Sequence, residues 1–442
     1  MSKFVVTGGT PLYGSVRVGG AKNSSWKIMI ASLLASSPSR LLNLPHIADV
    51  AFVADLIRTL GGRVECRGER MFVIDPSGLK ADQIDSDKGE FSRSSVAFLP
   101  VLLARFGEAC VPLPGGDKIG KRPLERHFQG LETLGVNLEV KNGLVKASLP
   151  GGHFRAGQYR FAKNSHTGTE TLLMAASLAR GTTILENAAV EPEVLDLVGF
   201  LNSCGAQIRL IRPRTYEIHG VERLYGSIYK IMPDRNETVS YACAAIATRG
   251  DVIVENARAA DLTAFLAKLA DIGAGFEVGD FGVRFFYYDT LQATDVTTSI
   301  HPGFMTDWQP LWATLLTQCK GVSTIHETVM QSRFQYVAPL QAMGAQMEIF
   351  QPAVTDPDRT YNFNLSDDKP DACHAVRITG PTRFRGGEFA VHDLRAGATL
   401  ILAGLGSSEQ LTLTNIEQID RGYEHFDEKL RTLGAKIERV ED

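Results

Sequence analysis

Apolar and polar positions along the chain change period in a fixed order. Short alternating runs, such as Thr183-Ile184-Leu185-Glu186-Asn187 and Val252-Ile253-Val254-Glu255-Asn256, predict strands. Each leads through a polar turn to apolar residues three and four apart, which predict amphipathic helices: Val194, Leu197, Phe200 and Leu201 in the first case, Phe265, Leu266 and Leu269 in the second. The order returns at Ser323-Thr324-Ile325-His326-Glu327 and at Leu411-Thr412-Leu413-Thr414-Asn415. Six helix-like runs close on an apolar residue, a glycine and a small residue: Leu60-Gly61-Gly62, Leu134-Gly135-Val136, Cys204-Gly205-Ala206, Ile272-Gly273-Ala274, Met343-Gly344-Ala345 and Leu433-Gly434-Ala435. Glycine-to-glycine gaps of 74, 70, 68, 71 and 90 residues define a repeated unit with one insertion in the last copy. The glycine supplies the positive φ that a helix exit commonly needs.

A unit of this kind is a βα piece with extra strands, and it cannot bury its own apolar face. At 442 residues the chain exceeds one ordinary core, so six units divide into two groups of three. With no Pro/Ser-rich linker or low-complexity run, the boundary is expected in a short crossing, at the polar turn Pro233-Asp234-Arg235-Asn236-Glu237.

Composition narrows the function classes. A formal net charge of -4 argues against broad electrostatic binding to nucleic acid or anionic membrane, so an anionic ligand must be held by local cations. No leader-like start and no apolar run of roughly 18 residues is present, so cytoplasmic residence is the expectation. Six scattered cysteines without a CxxC pair, and ten dispersed histidines, predict mostly reduced core thiols and no structural metal.

Chemistry gathers where the repeat is irregular. Gly19-Gly20-Ala21-Lys22-Asn23-Ser24-Ser25 opens a helical run, an arrangement that presents backbone N–H groups and the Lys22 cation to an anion, or simply turns a strand into a helix. The stretch from Leu113 to Glu125 has three glycines and two prolines within ten residues; it predicts a loop carrying Asp117 among the cations Lys118, Lys121 and Arg122. Thr306-Asp307-Trp308-Gln309-Pro310 reads as a helix cap made by Asp307 or as a placed acid. His392-Asp393-Leu394-Arg395 and Asp420-Arg421-Gly422-Tyr423-Glu424 each set an arginine beside an acid, which alone reads as a local ion pair. Lys163-Asn164-Ser165-His166-Thr167-Gly168-Thr169-Glu170-Thr171 is a donor-rich entry to a helix that suits a diphosphate or ribose, or a cap at Thr169.

At these residues the chain resembles the enolpyruvyl transferases nearly end to end. The resemblance runs from Gly20-Ala21-Lys22-Asn23 through Arg93-Ser94-Ser95, Pro114-Gly115-Gly116 and Arg122-Pro123. It continues through Glu186-Asn187-Ala188-Ala189, Glu191-Pro192-Glu193, Pro233-Asp234-Arg235, Thr306-Asp307, Asp393-Leu394-Arg395 and Asp420-Arg421-Gly422-Tyr423-Glu424. It implies an α/β fold of the inside-out barrel kind, in two domains of three βαβαββ repeats. One domain would span 22–231 with the Asp117 loop, the other 1–21 plus 232–442, with the active site in the cleft between them. It implies that a nucleotide-sugar hydroxyl, the 3-hydroxyl of UDP-N-acetylglucosamine, attacks C2 of phosphoenolpyruvate while C3 gains a proton, after which phosphate leaves.

By position the resemblance implies Asp307 as base and Asp117 as loop acid. Lys22, Arg122, Arg395 and Arg421 would hold phosphoenolpyruvate together with Asn23, and Arg93 would organise that pocket. The UDP-sugar would meet Asn23, Arg93, Arg122, Pro123, Leu124, Glu125, Arg126, Lys163, Ser165, His166, Thr167, Gly168, Asp307 and Val329. No metal or organic cofactor is implied, and a monomer fits. Most members of the family carry cysteine where this chain has Asp117, Ala97 replaces a common tryptophan, and His166-Thr167-Gly168 replaces the usual valine-glycine-alanine wording. Two alternatives follow: the same transfer to another nucleotide such as UMP, and a catalytically silent nucleotide-sugar sensor. The extra stretch Ser366-Asp367-Asp368-Lys369-Pro370-Asp371 is expected as a surface excursion.

Overall fold

The computed structural model describes residues 2–85, 94–114 and 123–441. They form two compact units. A middle unit comprises described residues between Gly20 and Met232, and a terminal unit comprises those up to Gly19 and from Pro233 onward. Each unit holds three small sheets.

All six sheets share one plan, and it is the βαβαββ unit. In the third repeat the strands are Gln158–Arg160, Thr182–Glu186, Gln207–Arg212 and Thr215–His219, with helices His166–Ala176 and Pro192–Ser203 between the first three. Counted along the repeat, the lateral order is three, four, two, one; strands one and two pair in parallel and the other pairs are antiparallel. The fourth repeat repeats this with Tyr13–Arg17, Asp251–Glu255, Gly275–Gly279 and Gly282–Phe286. In its register Val252 faces Phe285 and Val254 faces Val283, all fully buried, so the alternation read from sequence is the core face of the sheet. Among the described residues the second repeat has three strands, and its parallel edge is a bridge from Gln83 to Cys110.

Helices lie inside and sheets outside in each unit. The first helix of a repeat is buried on nearly every side: Arg235–Ala247 from Arg235 to Ile246, and Leu394–Leu405 at all twelve positions. A helix buried all round belongs to the core. The small residues Ala242, Ala244 and Ala245 let it approach Gln309–Leu316 and Leu394–Leu405 closely. The second helix of a repeat buries only a stripe, such as Phe265, Leu266 and Leu269 of Thr263–Asp271. An aromatic cluster fills the terminal unit: Phe265 lies 5.9 Å from Trp308 and 5.7 Å from Trp312, and Phe304 meets Trp308 edge-on at 5.5 Å.

All six repeat glycines, Gly61, Gly135, Gly205, Gly273, Gly344 and Gly434, have positive φ directly after their helices. The expected polar turn at 233–237 is shorter than read: Asp234 accepts from the Asn236 and Glu237 N–H groups and starts the helix at Arg235. The stretch at 366–371 is a partly exposed excursion, anchored by buried Tyr361 and Phe363 and by Asp368 on His374 at 2.7 Å. Of the cysteines only Cys204, Cys243 and Cys319 are buried, with the Cys204 thiol pushed up to about 11 and Cys319 to about 12 by burial; all six described cysteines are free thiols. Among the described residues no helix is long and apolar enough to cross a membrane.

Candidate active site

In the middle unit the candidate residues gather at the starts of central helices. Lys22 is the first residue of Lys22–Ala31, with no acid in that first turn. Gly20 is required just before it, because a Cβ there would lie 1.9 Å from the Asn43 carbonyl oxygen. The helix start is tied down by Asp196, which accepts from the Ser24 hydroxyl, from the Tyr229 hydroxyl at 2.9 Å and from the Met232 N–H at 3.3 Å; burial pushes the Asp196 carboxyl up. Lys22 Nζ pairs with Asp49 Oδ2 at 2.7 Å, and both side chains are 11% exposed. A cation at a helix N-terminus opposes the helix dipole, and Asp49 offsets that cost. Asn23 is half-buried beside it.

The 163–168 segment and the helix Glu125–Thr133 meet. Arg126 Nη1 donates to the Asn164 carbonyl at 3.0 Å, and the His127 imidazole bonds Thr167 Oγ1 at 2.9 Å. Ser165, not Thr169, caps the helix by accepting from the Gly168 N–H at 3.1 Å. Pro123, Leu124 and Lys163 are half-buried and Glu125 is exposed. Beneath this segment lies a buried ion pair that sequence reading missed. Lys27 Nζ is 2.7 Å from Glu170 Oε1 and 2.6 Å from Oε2, while His166 Nε2 sits 3.2 Å from Glu170 and 3.4 Å from Lys27. Burial and Lys27 oppose charge on the imidazole, but Glu170 and Glu191 outweigh them and hold His166 above its ordinary value.

In the terminal unit Asp307 sits in the single turn Thr306–Trp308, and its carboxylate caps no helix. Instead Oδ1 accepts from Arg333 Nη2 at 2.7 Å and Oδ2 lies 3.5 Å from Arg395 Nη2. The Asp307 side chain is 19% exposed and both arginine side chains 5%, so the acid is the reachable member of the cluster. Burial works against the Arg395 charge, but the Tyr423 hydroxyl, Asp307 and Asp234 hold the guanidinium more firmly protonated than usual. Tyr423 accepts from Arg395 Nη1 at 3.0 Å and bonds Ser240 Oγ at 2.7 Å. A carboxylate between two guanidiniums is an acceptor-only group able to take a proton from a hydroxyl, and the arginines supply bidentate donors for an anion.

The two local ion pairs suggested by sequence do not form. Asp393 caps Leu394–Leu405 through the Arg395 and Ala396 N–H groups, which frees the Arg395 guanidinium for Asp307. Asp420 pairs with Arg439 at 2.7 Å, while Arg421 Nη1 donates to Gln418 at 3.3 Å. Val329 donates its N–H to Glu327 Oε1 at 2.8 Å. Arg93, Asp117 and Arg122 lie outside the described residues. Asp49, Lys27 and Arg333 carried no local signal, because each meets its partner from another element, and the same holds for Glu170 toward Lys27 and Glu327 toward Thr306. Among the described residues no three of His, Cys, Asp and Glu converge as metal ligands.

Known proteins resemble this chain along nearly its whole length. A protein family described as EPSP synthase (3-phosphoshikimate 1-carboxyvinyltransferase) matches residues 6–430. The chain is 38% identical over 447 residues to UDP-N-acetylglucosamine 1-carboxyvinyltransferase of Xylella fastidiosa strain 9a5c, with both chains fully covered. It is 39% identical over 440 residues to the protein of that name from Idiomarina loihiensis, again over all of both chains. The crystal structure of the enolpyruvyl transferase NikO from Streptomyces tendae superposes with a TM-score of 0.84 at 25% identity, covering 99% of each chain. EPSP synthase from Acinetobacter baumannii shares the fold, with a TM-score of 0.71 at 19% identity over all of both chains. Six βαβαββ repeats and a match from residue 6 to residue 430 lead to one assignment: the chain belongs to the enolpyruvyl transferase family.

Proposed function

We propose that the protein transfers the enolpyruvyl group of phosphoenolpyruvate to the 3-hydroxyl of UDP-N-acetylglucosamine and releases phosphate, the first committed step toward peptidoglycan. The observation that carries this reading is the full-length identity of 38% to a transferase of that name, in a chain whose Asp307 carboxylate is held between two buried guanidiniums. The attacking hydroxyl gives its proton to Asp307 as its oxygen bonds to C2, and C3 takes a proton from Asp117, giving a tetrahedral intermediate. Loss of a C3 proton and departure of phosphate restore the double bond in the product. Lys22, Arg122, Arg395 and Arg421, with Asn23, hold the phosphate and carboxylate, and Arg93 organises the anionic pocket. Arg126 and the segment from Lys163 to Gly168 hold the UDP-sugar, with Pro123, Leu124, Glu125 and Val329. No cofactor takes part in the proposed reaction, and residence in the cytoplasm is proposed with it.

Phosphate release from phosphoenolpyruvate tests the acceptor directly. Turnover is expected with UDP-N-acetylglucosamine, and its absence there with turnover on UMP would replace the first reading by transfer to a simple nucleotide. The full-length relatives at 38–39% identity that carry the name UDP-N-acetylglucosamine 1-carboxyvinyltransferase support putting that acceptor first. The aspartate at 117 adds a second expected result. A carboxylate lacks the thiolate nucleophile that the epoxide fosfomycin alkylates, so preincubation with fosfomycin is expected to leave activity unchanged with time. Progressive inactivation would count against Asp117 as the loop acid.

A further inference from the structure

Asp307 stands on a turn of three residues, which has little internal hydrogen bonding to fix it: the Trp308 N–H reaches the Met305 carbonyl at 3.0 Å, and no side chain caps the turn. Its C-terminal side is fixed by Trp308, which is 1% exposed within the aromatic cluster. Its N-terminal side is fixed by Glu327. That carboxylate is fully buried and accepts four hydrogen bonds. Oε2 takes the Thr306 hydroxyl at 2.9 Å, and Oε1 takes the Thr298 hydroxyl at 2.9 Å and the N–H groups of Val329 and Met330 at 2.8 and 2.9 Å. The loop held by Oε1 runs on to Arg333, the residue that pairs with Asp307 at 2.7 Å. One carboxylate therefore ties the turn that carries the acid, through one oxygen, and the loop that carries the acid's guanidinium, through the other.

We propose that Glu327 is the positioning residue for Asp307, setting the direction of its carboxylate and its distance from Arg333. The inference rests on Asp307 as the base of the proposed reaction. A base must lie within hydrogen-bond reach of the proton it takes, and a displacement of about 1 Å costs on the order of 10²-fold in rate. Burying a carboxylate is costly, and a purely structural link could be made by a neutral side chain. Here burial pushes the Glu327 carboxyl up, while the Met330 N–H, Arg333, the Val329 N–H and the Thr306 hydroxyl act to keep it charged. The groups facing it are thus Thr298 and Thr306, two peptide N–H groups, the Arg333 cation and the buried Tyr336 phenol, whose ionisation the Glu327 charge opposes.

Glu327→Gln keeps the volume and one acceptor oxygen for Val329 and Met330, but turns an amide N–H₂ toward Thr306 and removes the charge beside Arg333. This variant is expected to fold with unchanged circular dichroism and to lose about 10-fold in kcat. KM for phosphoenolpyruvate should stay within about twofold, and the acid limb of the kcat–pH profile should move. A folded Glu327→Gln enzyme with wild-type kcat and pH profile would overturn the proposal. Should Glu327→Gln fail to fold, Thr306→Val, which cuts only the link to the Asp307 turn, decides by the same readouts. Asp307→Asn run in parallel separates the two ideas: full activity there would sink Asp307 as the base, whatever Glu327 does.

Discussion

Asp307→Asn is expected to lower kcat about 10³-fold with the fold intact, the size of effect that loss of a positioned proton acceptor produces. The substitution is nearly isosteric, and the amide oxygen still accepts from Arg333, whose guanidinium is buried and otherwise loses its 2.7 Å partner. What disappears is the charge and the basicity. Relieved of the carboxylate 3.5 Å away, Arg395 has more of its charge available to an anion, so KM for phosphoenolpyruvate is expected to stay the same or fall. Steady-state kinetics with both substrates varied checks this. A rise in KM at unchanged kcat would make Asp307 a binding residue only, and retained binding of UDP-N-acetylglucosamine in the variant, read by calorimetry, is part of the expected result.

Glu170→Ala is expected to destabilise the middle unit by about 3–5 kcal/mol, because it strands the Lys27 ammonium in a site where both partners' side chains are under 5% exposed. In a unit of this size that is a fall in Tm of roughly 10 °C. Pairing it with Lys27→Met should restore most of the loss, since two apolar side chains bring no charge to desolvate. The effect also has a pH signature. His166 sits above its ordinary value in the folded protein, chiefly against burial and Lys27 and because of Glu170. Its contribution to stability is fully present below its usual value of 6.5 and is lost as pH rises through the raised folded value. Without Glu170 that contribution goes, so the gap in Tm between wild type and Glu170→Ala should be wider at pH 6 than at pH 8. A constant gap would mean that Glu170 acts on Lys27 alone.

What sequence reading reached, and where it stopped, follows from the range of each interaction. The repeat was legible because alternation, helix spacing and the positive-φ glycine are set by neighbours a few residues apart. Lys22, Asp307 and Arg395 stood out because each interrupts that pattern. Their partners did not, because a carboxylate 26 residues from Arg333 or a lysine 143 residues from Glu170 is brought close only by the packed fold. Local reading was misled at Asp393 and Asp420, where an adjacent arginine suggested a pair. Backbone N–H groups at the start of Leu394–Leu405 have no intrahelical acceptor, and Asp393 satisfies them in preference to its neighbour. At Asp420 the better bidentate geometry came from Arg439.

Strand Lys3–Thr7 lies between Gln410–Thr414 and Lys436–Val440, and Tyr13–Arg17 opens the sheet of the fourth repeat. On the ribosome this sets a timetable. The described strands of the middle unit have all been made once Lys230 has emerged, whereas Lys3–Thr7 must wait for Lys436–Val440 before its sheet can close. Until then Lys3–Thr7 is an unpaired edge with a buried Phe4 and Val6, the kind of segment that invites pairing with another nascent chain. Slow or interrupted synthesis of the final repeat should therefore aggregate the terminal unit while the middle unit is already folded.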